Sequence, residues 1–218
     1  MGGTEIKLPE EFLTRMQVDL GESFADFTNS LESAPPTSIR LNPQKKSKLS
    51  GKPVPWCSTG LYLESRPVFT LDPIFHAGAY YVQEASSMFL EQIFLQLGLG
   101  SQPLHMLDLS AAPGGKSTHI ASLMHKDSLL VANEVIRSRA SILAENIIKW
   151  GIGNVVVTNN DPEDFNRLRG FFDVMVVDAP CSGEGLFRKD PDAITEWSVD
   201  NVQLCAKRQR RILNDSWS

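Results

Sequence analysis

The segment Asp178-Ala179-Pro180-Cys181-Ser182-Gly183-Glu184-Gly185 brings a carboxylate, a rigid proline, a thiol and a glycine-rich loop into one short run. It follows Phe172-Asp173-Val174-Met175-Val176-Val177, whose apolar residues are of the kind that form a strand buried on both faces. The reactive groups therefore emerge at the C-terminal end of a strand, the edge at which open α/β sheets bind ligands. An Asp can hydrogen-bond a ring nitrogen, and a Cys can act as nucleophile or leaving group. Together they suggest chemistry on a pyrimidine ring. The structural alternative is a β-turn capped by Asp178 beside a buried Cys181.

A second run, Asp108-Leu109-Ser110-Ala111-Ala112-Pro113-Gly114-Gly115-Lys116-Ser117, sits at a strand-to-helix turn. Small residues let backbone approach a ligand there, and the helix start with Lys116 favours an anion. The Gly-Lys-Ser ending imitates a phosphate-binding loop, but Ser110 stands where that motif needs its first glycine. The GxGxxG of dinucleotide folds is also missing. Glu134, at the end of the next strand, can accept from both hydroxyls of a ribose; its structural alternative is a helix-start carboxylate favoured by the dipole. Asp161, after the third strand, can accept from an adenine amino group or cap the following turn. Carboxylates at three successive strand ends, Glu134, Asp161 and Asp178, are best explained by one nucleoside. The expected ligand is S-adenosylmethionine, with its carboxylate near the glycine turn and Lys116.

These residues require a particular scaffold. Strands are predicted at Leu104 to Leu109, Leu129 to Ala132, Val155 to Val157 and Val174 to Val177. Helices are predicted from Lys116 to Met124, up to Trp150 with Gly151 as its cap, and after Ser198 through Val202, Cys205, Gln209, Ile212 and Leu213. The alternation predicts an α/β fold with a doubly wound, mostly parallel sheet. Ahead of it, Leu13, Met16, Leu20, Phe24, Phe27 and Leu31 recur at helical spacing, with an interruption expected at Gly21 and a stop at Pro35-Pro36. Thr37 to Leu41 is a strand candidate, 42–67 reads as loop with short strands at most, and Val82 to Leu97 reads as a helix with Ala85, Met88, Phe89, Ile93 and Leu97 on one face. The domain boundary is expected near residue 100, giving an appendage over 1–100 and a sheet domain over 101–218.

Composition narrows the setting. The 218 residues are 42% hydrophobic and 22% charged, which is ordinary for a globular protein. A net charge of −5 means that no global basic field advertises a nucleic-acid partner, although local basic patches remain compatible with one. Three widely spaced cysteines without a CxxC pair indicate neither a disulfide framework nor a zinc site. His76, His105, His119 and His125 show no metal-ligand spacing, so core or surface roles and no metal are expected. With no apolar segment of membrane-spanning length and no apolar signal core, the sequence reads as cytoplasmic with no membrane association. Basic residues cluster locally at Lys45, Lys46 and Lys48, at Arg137 and Arg139, and at Lys207, Arg208, Arg210 and Arg211. Arg188 and Lys189 are the preferred RNA-contacting pair, because they follow the Gly-rich turn.

The two long motifs, in this order, resemble the RNA cytosine-C5 methyltransferases of the Sun/Fmu type. Thr37-Ser38-Ile39-Arg40-Leu41-Asn42-Pro43 and Tyr81-Val82-Gln83-Glu84-Ala85-Ser86-Ser87-Met88 are similar to that family's segments ahead of the catalytic sheet, so the likeness runs from about Leu8 onward. The nearest resemblance is to bacterial members that act on 16S ribosomal RNA. It implies the class I S-adenosylmethionine-dependent methyltransferase fold, here incomplete, with a small N-terminal α/β appendage. It also implies that Ala111, Ala112, Pro113, Gly114, Gly115, Lys116, Ser117, Glu134, Asp161 and Asp178 contact the cofactor or line its pocket, and that Asp178 holds the target cytosine at N3. The residues alone nominate Cys181 as the nucleophile. The resemblance implies instead a second Cys on a later strand, in a Thr-Cys-Thr-like motif, with Cys181 assisting product release. That motif does not occur here, so the nucleophile is expected beyond Ser218 and the chain is expected to be C-terminally truncated. Cys205 is expected to be structural. An alternative is a fragment that binds RNA and cofactor without turnover. An exocyclic-amine methyltransferase would carry an Asn/Asp-Pro-Pro-aromatic turn, which Asp-Ala-Pro-Cys does not match.

Overall fold

The structure is a computed structural model that describes residues 8–216; the expected end of the chain at Trp217-Ser218 lies outside them. In chain order, α1 (Glu10–Leu20) and α2 (Phe24–Glu32) precede β1 (Thr37–Leu41), β2 (Lys52–Pro53), β3 (Gly60–Leu63), the short α3 (Pro73–His76) and β4 (Tyr80–Val82). Then come α4 (Leu90–Gln96), β5 (His105–Asp108), α5 (Gly115–Leu123), β6 (Leu129–Asn133), α6 (Arg137–Trp150), β7 (Val155–Thr158) and β8 (Val174–Val176). The last elements are α7 (Pro191–Glu196) and α8 (Val199–Ser216). The described residues group into two compact units.

One unit joins residues 8–35 to 179–212. Its core is Phe12, Phe187, Ile194 and Trp197, with Leu13, Met16, Phe27 and Leu31 packed against it. Phe12 meets the rings of Phe187 and Trp197 edge-on, at 5.0 and 5.8 Å between centroids. Gly21, at φ 52°, breaks the first helix where its missing Cβ permits, and a short 3-10 turn leads into α2. Ser198 caps α8 by accepting from the Asn201 N–H at 3.1 Å.

The other unit, residues 36–178 with 213–216, contains both sheets. One is antiparallel in the order β2-β3-β1-β4. The second is parallel in the order β7-β6-β5-β8, so the first strand lies inside the sheet and the chain reverses direction beside it. Phe94, Met106, Ile120, Ala121, Met124 and Leu130 form one core against this sheet, and Ala111, Ala112, Ala132, Leu143 and Ile147 another. Gly151, at φ 90°, caps α6 as expected, and its N–H reaches the Ile147 carbonyl.

Two expectations need correction. The segment from Val82 to Leu97 is not one helix. Val82 closes β4, residues 86–89 form a 3-10 turn and α4 begins only at Leu90. Three residues per turn over 86–89 rotate the phase of α4 relative to a continuous α-helix. The buried positions are therefore Ala85, Met88, Glu91 and Phe94, while Phe89, Ile93 and Leu97 are exposed. β8 is also only half-buried, because it has a neighbour on one side alone among the described residues.

Candidate cofactor and catalytic site

Register fixes what lies along the C-terminal edge of the parallel sheet. Asp108, the last residue of β5, pairs with Ala132 on one side and Val176 on the other. Glu134 follows β6, Asp161 lies beyond β7 and Asp178 lies beyond β8. The three expected carboxylates thus belong to the same edge as the glycine turn, at the point where the strand order reverses.

The turn is built into the surrounding structure. The Leu109 N–H donates to the Val176 carbonyl at 2.9 Å and the Ala111 N–H to that of Asn133 at 2.8 Å. Outward-facing carbonyls are held by side chains: Ala112 O accepts from Arg139, Pro113 O from Asn146 and Tyr81, and Gly115 O from Arg40. Gly114 adopts φ 110°, where a Cβ would come within 3.2 Å of Leu143 Cδ1. That position requires glycine. Lys116 does not stand free to meet an anion. Its ammonium donates to Asp178 Oδ2 at 2.5 Å, tying the glycine turn to the residue that opens the Asp-Ala-Pro-Cys turn.

Asp108 is a further candidate that sequence reasoning did not single out, although an acidic residue closing a strand ahead of a glycine turn was the available signal. It is fully buried. The Ser117 hydroxyl donates to its Oδ2 at 2.6 Å, while its Oδ1 has no hydrogen-bond partner. Burial pushes its pKa up to about 6, against the opposing effects of Ser117 and Lys116. A buried acceptor with spare capacity beside small residues suits a cationic ligand group.

Glu134 is 2% exposed. One of its oxygens accepts from the Ile136 N–H at 3.0 Å and the other lies 3.5 Å from Arg139. Asp161 adopts the capping alternative: it accepts from the Glu163 N–H at 3.2 Å and forms a reciprocal capping box with Asp164 over the 3-10 helix Pro162–Leu168. Asn133, which sequence reasoning passed over, binds the loops on both sides of β6 through the carbonyls of Leu109 and Asn160.

In the other unit, Cys181 is exposed. The preceding carbonyl, Pro180 O, accepts from Gln209 of α8 at 2.9 Å. Gly183, at φ 81°, turns the chain, and Glu184 accepts from the Trp197 indole at 2.8 Å. Arg188 is half-buried and directs its guanidinium at the carbonyls of Ser33 and Ala34, so its contacts here are structural. Lys189 N–H donates to the Leu186 carbonyl. Cys205 is buried in α8 beside Asn201, the structural position expected for it. Lys45, expected in a basic surface cluster, donates instead to the carbonyls of Ala77 and Lys149 at 2.6 Å each. No helix among the described residues is long and apolar enough to cross a membrane.

Residues 8–85 match the N-terminal domain of 16S rRNA methyltransferase RsmF. Ribosomal RNA small subunit methyltransferase F of Escherichia coli O157:H7 is 36% identical over 231 residues, covering 97% of this chain and 48% of the relative. The Citrobacter koseri protein of the same name is likewise 36% identical over 97% of the chain. The chain thus spans about half the length of the curated relatives it matches. A solved methyltransferase homologue from Pyrococcus horikoshii superposes with a TM-score of 0.76 at 28% identity, covering 96% of this chain and 69% of that one. The chain carries the class I methyltransferase fold that the resemblance implies. Because residues 98–218 match 16S rRNA methyltransferase RsmB/F, more than half of its length, the chain belongs to the RsmB/F family.

Proposed function

We propose that this chain supplies the cofactor site and the Asp-Ala-Pro-Cys turn of an enzyme that methylates carbon 5 of a cytosine in 16S ribosomal RNA, using S-adenosylmethionine. The observation that carries the reading is the ion pair between Lys116 and Asp178, which holds the Asp178 carboxylate beside the glycine turn. The donor set suits the cofactor: Glu134 accepts from the ribose, Asp161 lies toward the base, and Asp108 and the turn from Ala111 to Ser117 surround the amino-acid end. When bound, S-adenosylmethionine supplies the methyl group.

The chain's own residues have narrower tasks. Carbon 5 of cytosine is a weak nucleophile until a thiolate adds at carbon 6. Asp178, oriented by Lys116, contacts N3 and stabilises the ring as electron density shifts. After methyl transfer a base removes the proton at carbon 5, carbon 6 releases the thiol and aromaticity returns. Cys57 and Cys205 are buried, so Cys181 is the one exposed thiol among the described residues. We assign Cys181 to product release, in keeping with the resemblance, and place the nucleophile beyond Ser218. Arg188 and Lys189 remain candidates for phosphate contacts once RNA competes for Arg188. A division near residue 100 follows the two family matches, to 8–85 and 98–218, whereas the compact units divide near residues 35 and 178. A ribosomal substrate implies action in the cytoplasm.

RNA containing 5-fluorocytosine tests the assignment, because fluorine at carbon 5 blocks proton removal and traps the thiol adduct. With S-adenosylmethionine present, a longer protein that includes the later motif is expected to form a denaturant-stable complex, and residues 1–218 none. An adduct on the short chain that disappears in Cys181→Ser makes Cys181 the nucleophile. The second reading, binding without turnover, is favoured for residues 1–218 by the burial of Cys57 and Cys205. Mass mapping of 5-methylcytosine in 16S ribosomal RNA, with and without the gene, tests the substrate.

A further inference from the structure

Away from the sheet edge, three side chains from distant parts of the sequence meet in the protein interior. Cys57 lies in the turn before β3, Glu91 in the first turn of α4 and His119 in the middle of α5. Their exposures are 4%, 3% and 1%. His119 Nε2 is 3.2 Å from Glu91 Oε2 and 3.8 Å from Cys57 Sγ, and the three donor atoms all lie within 4.8 Å of one another. Their separation in the sequence explains why no local spacing announces them.

Thiolate, imidazole and carboxylate are the donor types that zinc takes. With bonds of about 2.3 Å to sulfur and about 2.1 Å to nitrogen and oxygen, the observed separations correspond to angles at the metal of roughly 120° and 100°, on either side of tetrahedral. The outer contacts are in place for two of the three donors, while His119 Nδ1 is buried with no hydrogen-bond partner. Glu91 Oε1 accepts from the Ser58 N–H at 2.9 Å, which fixes the carboxylate, and Thr59 Oγ1 lies 3.8 Å from the sulfur. Arg40 is the cation buried nearby. Its guanidinium donates to Gln83, the Gly115 carbonyl and Thr118 and lies 4.5 Å from the Trp150 ring; it makes no hydrogen bond to Glu91, although Cys57 and Glu91 are among the acidic groups whose fields it feels.

We infer that Cys57, Glu91 and His119 form a buried three-donor site for a zinc-like divalent cation, with a water as the fourth ligand, pinning α5 to α4 and to the turn before β3. Binding releases the thiol proton to solvent, and the thiolate and carboxylate together neutralise the ion. Because α5 begins with the glycine turn, the ion braces the helix that presents Gly114 to Ser117.

Cobalt(II) titration of the chelator-treated chain tests the site directly. One cobalt per chain is expected, with tetrahedral ligand-field bands and a thiolate-to-cobalt charge-transfer band, both displaced by one equivalent of zinc. The charge-transfer band should persist in Cys181→Ser and vanish in Cys57→Ser, and zinc should raise the melting temperature of the unmodified chain. Octahedral cobalt without a thiolate band in the unmodified chain would overturn the inference, whatever the folding of the variants. So would a band that depends on Cys181.

Discussion

Asp108 holds a carboxylate inside the sheet with one oxygen satisfied by Ser117 and the other by nothing. Its pKa is raised from 3.8 to about 6, so the folded state binds its proton more tightly than the unfolded chain does. The stabilisation is therefore complete below about pH 4 and is lost as pH rises through 6. Two pK units correspond to roughly 3 kcal/mol. Thermal melts of the cofactor-free chain should show this decline, and Asp108→Asn should flatten it; an unchanged pH profile in the variant would remove Asp108 as its source. Glu134 is tested by affinity. Glu134→Ala should weaken S-adenosylmethionine binding by about 1–3 kcal/mol, the scale for losing hydrogen bonds to a charged group. Calorimetry that finds equal affinity in the variant would dismiss the ribose contact. At this scale the sequence was partly readable. Acidic residues at strand ends could be picked out, but not that Lys116 would turn to Asp178, since that choice depends on a strand placed sixty-odd residues away.

The glycine turn shows what an element demands of single positions. Gly114→Ala places a Cβ on a φ of 110° and within 3.2 Å of Leu143, and should cost about 1–2 kcal/mol of stability. Gly115→Ala is the control, since its Cβ would meet nothing closer than Tyr81 at 3.4 Å. Equal melting temperatures for the two variants would show that the turn relaxes freely. The parallel sheet was legible because its strands are short apolar runs with turn-forming residues close by, such as Gly153-Asn154 before Val155 and Asp127-Ser128 before Leu129. Residues 82–97 defeat the same kind of reading for a physical reason. The apolar residues fit a helical period, but a 3-10 turn at Ser86 changes that period partway. Buried Glu91 was invisible for the opposite reason, since its partners Ser58 and His119 come from elsewhere in the chain.

At the scale of the whole molecule, β8 presents an unpaired side among the described residues. Open strand edges recruit other strands. Residues 1–218 on their own should therefore associate as concentration rises, and Met175→Lys, which puts a charge on that strand, should reduce it. Sedimentation that finds a monomer at every concentration would show the edge to be covered. Arg40 has a consequence of another kind. It is wholly buried, yet its partners Gln83, Thr118 and Trp150 arrive progressively later in the chain. As the polypeptide leaves the ribosome, strand β1 is made long before anything can accept its guanidinium. Proteins commonly complete their N-terminal parts first during synthesis. Here the strands of that sheet can pair once residue 82 is made, but the Arg40 contacts that pack β1 against later elements must wait until Trp150 has emerged.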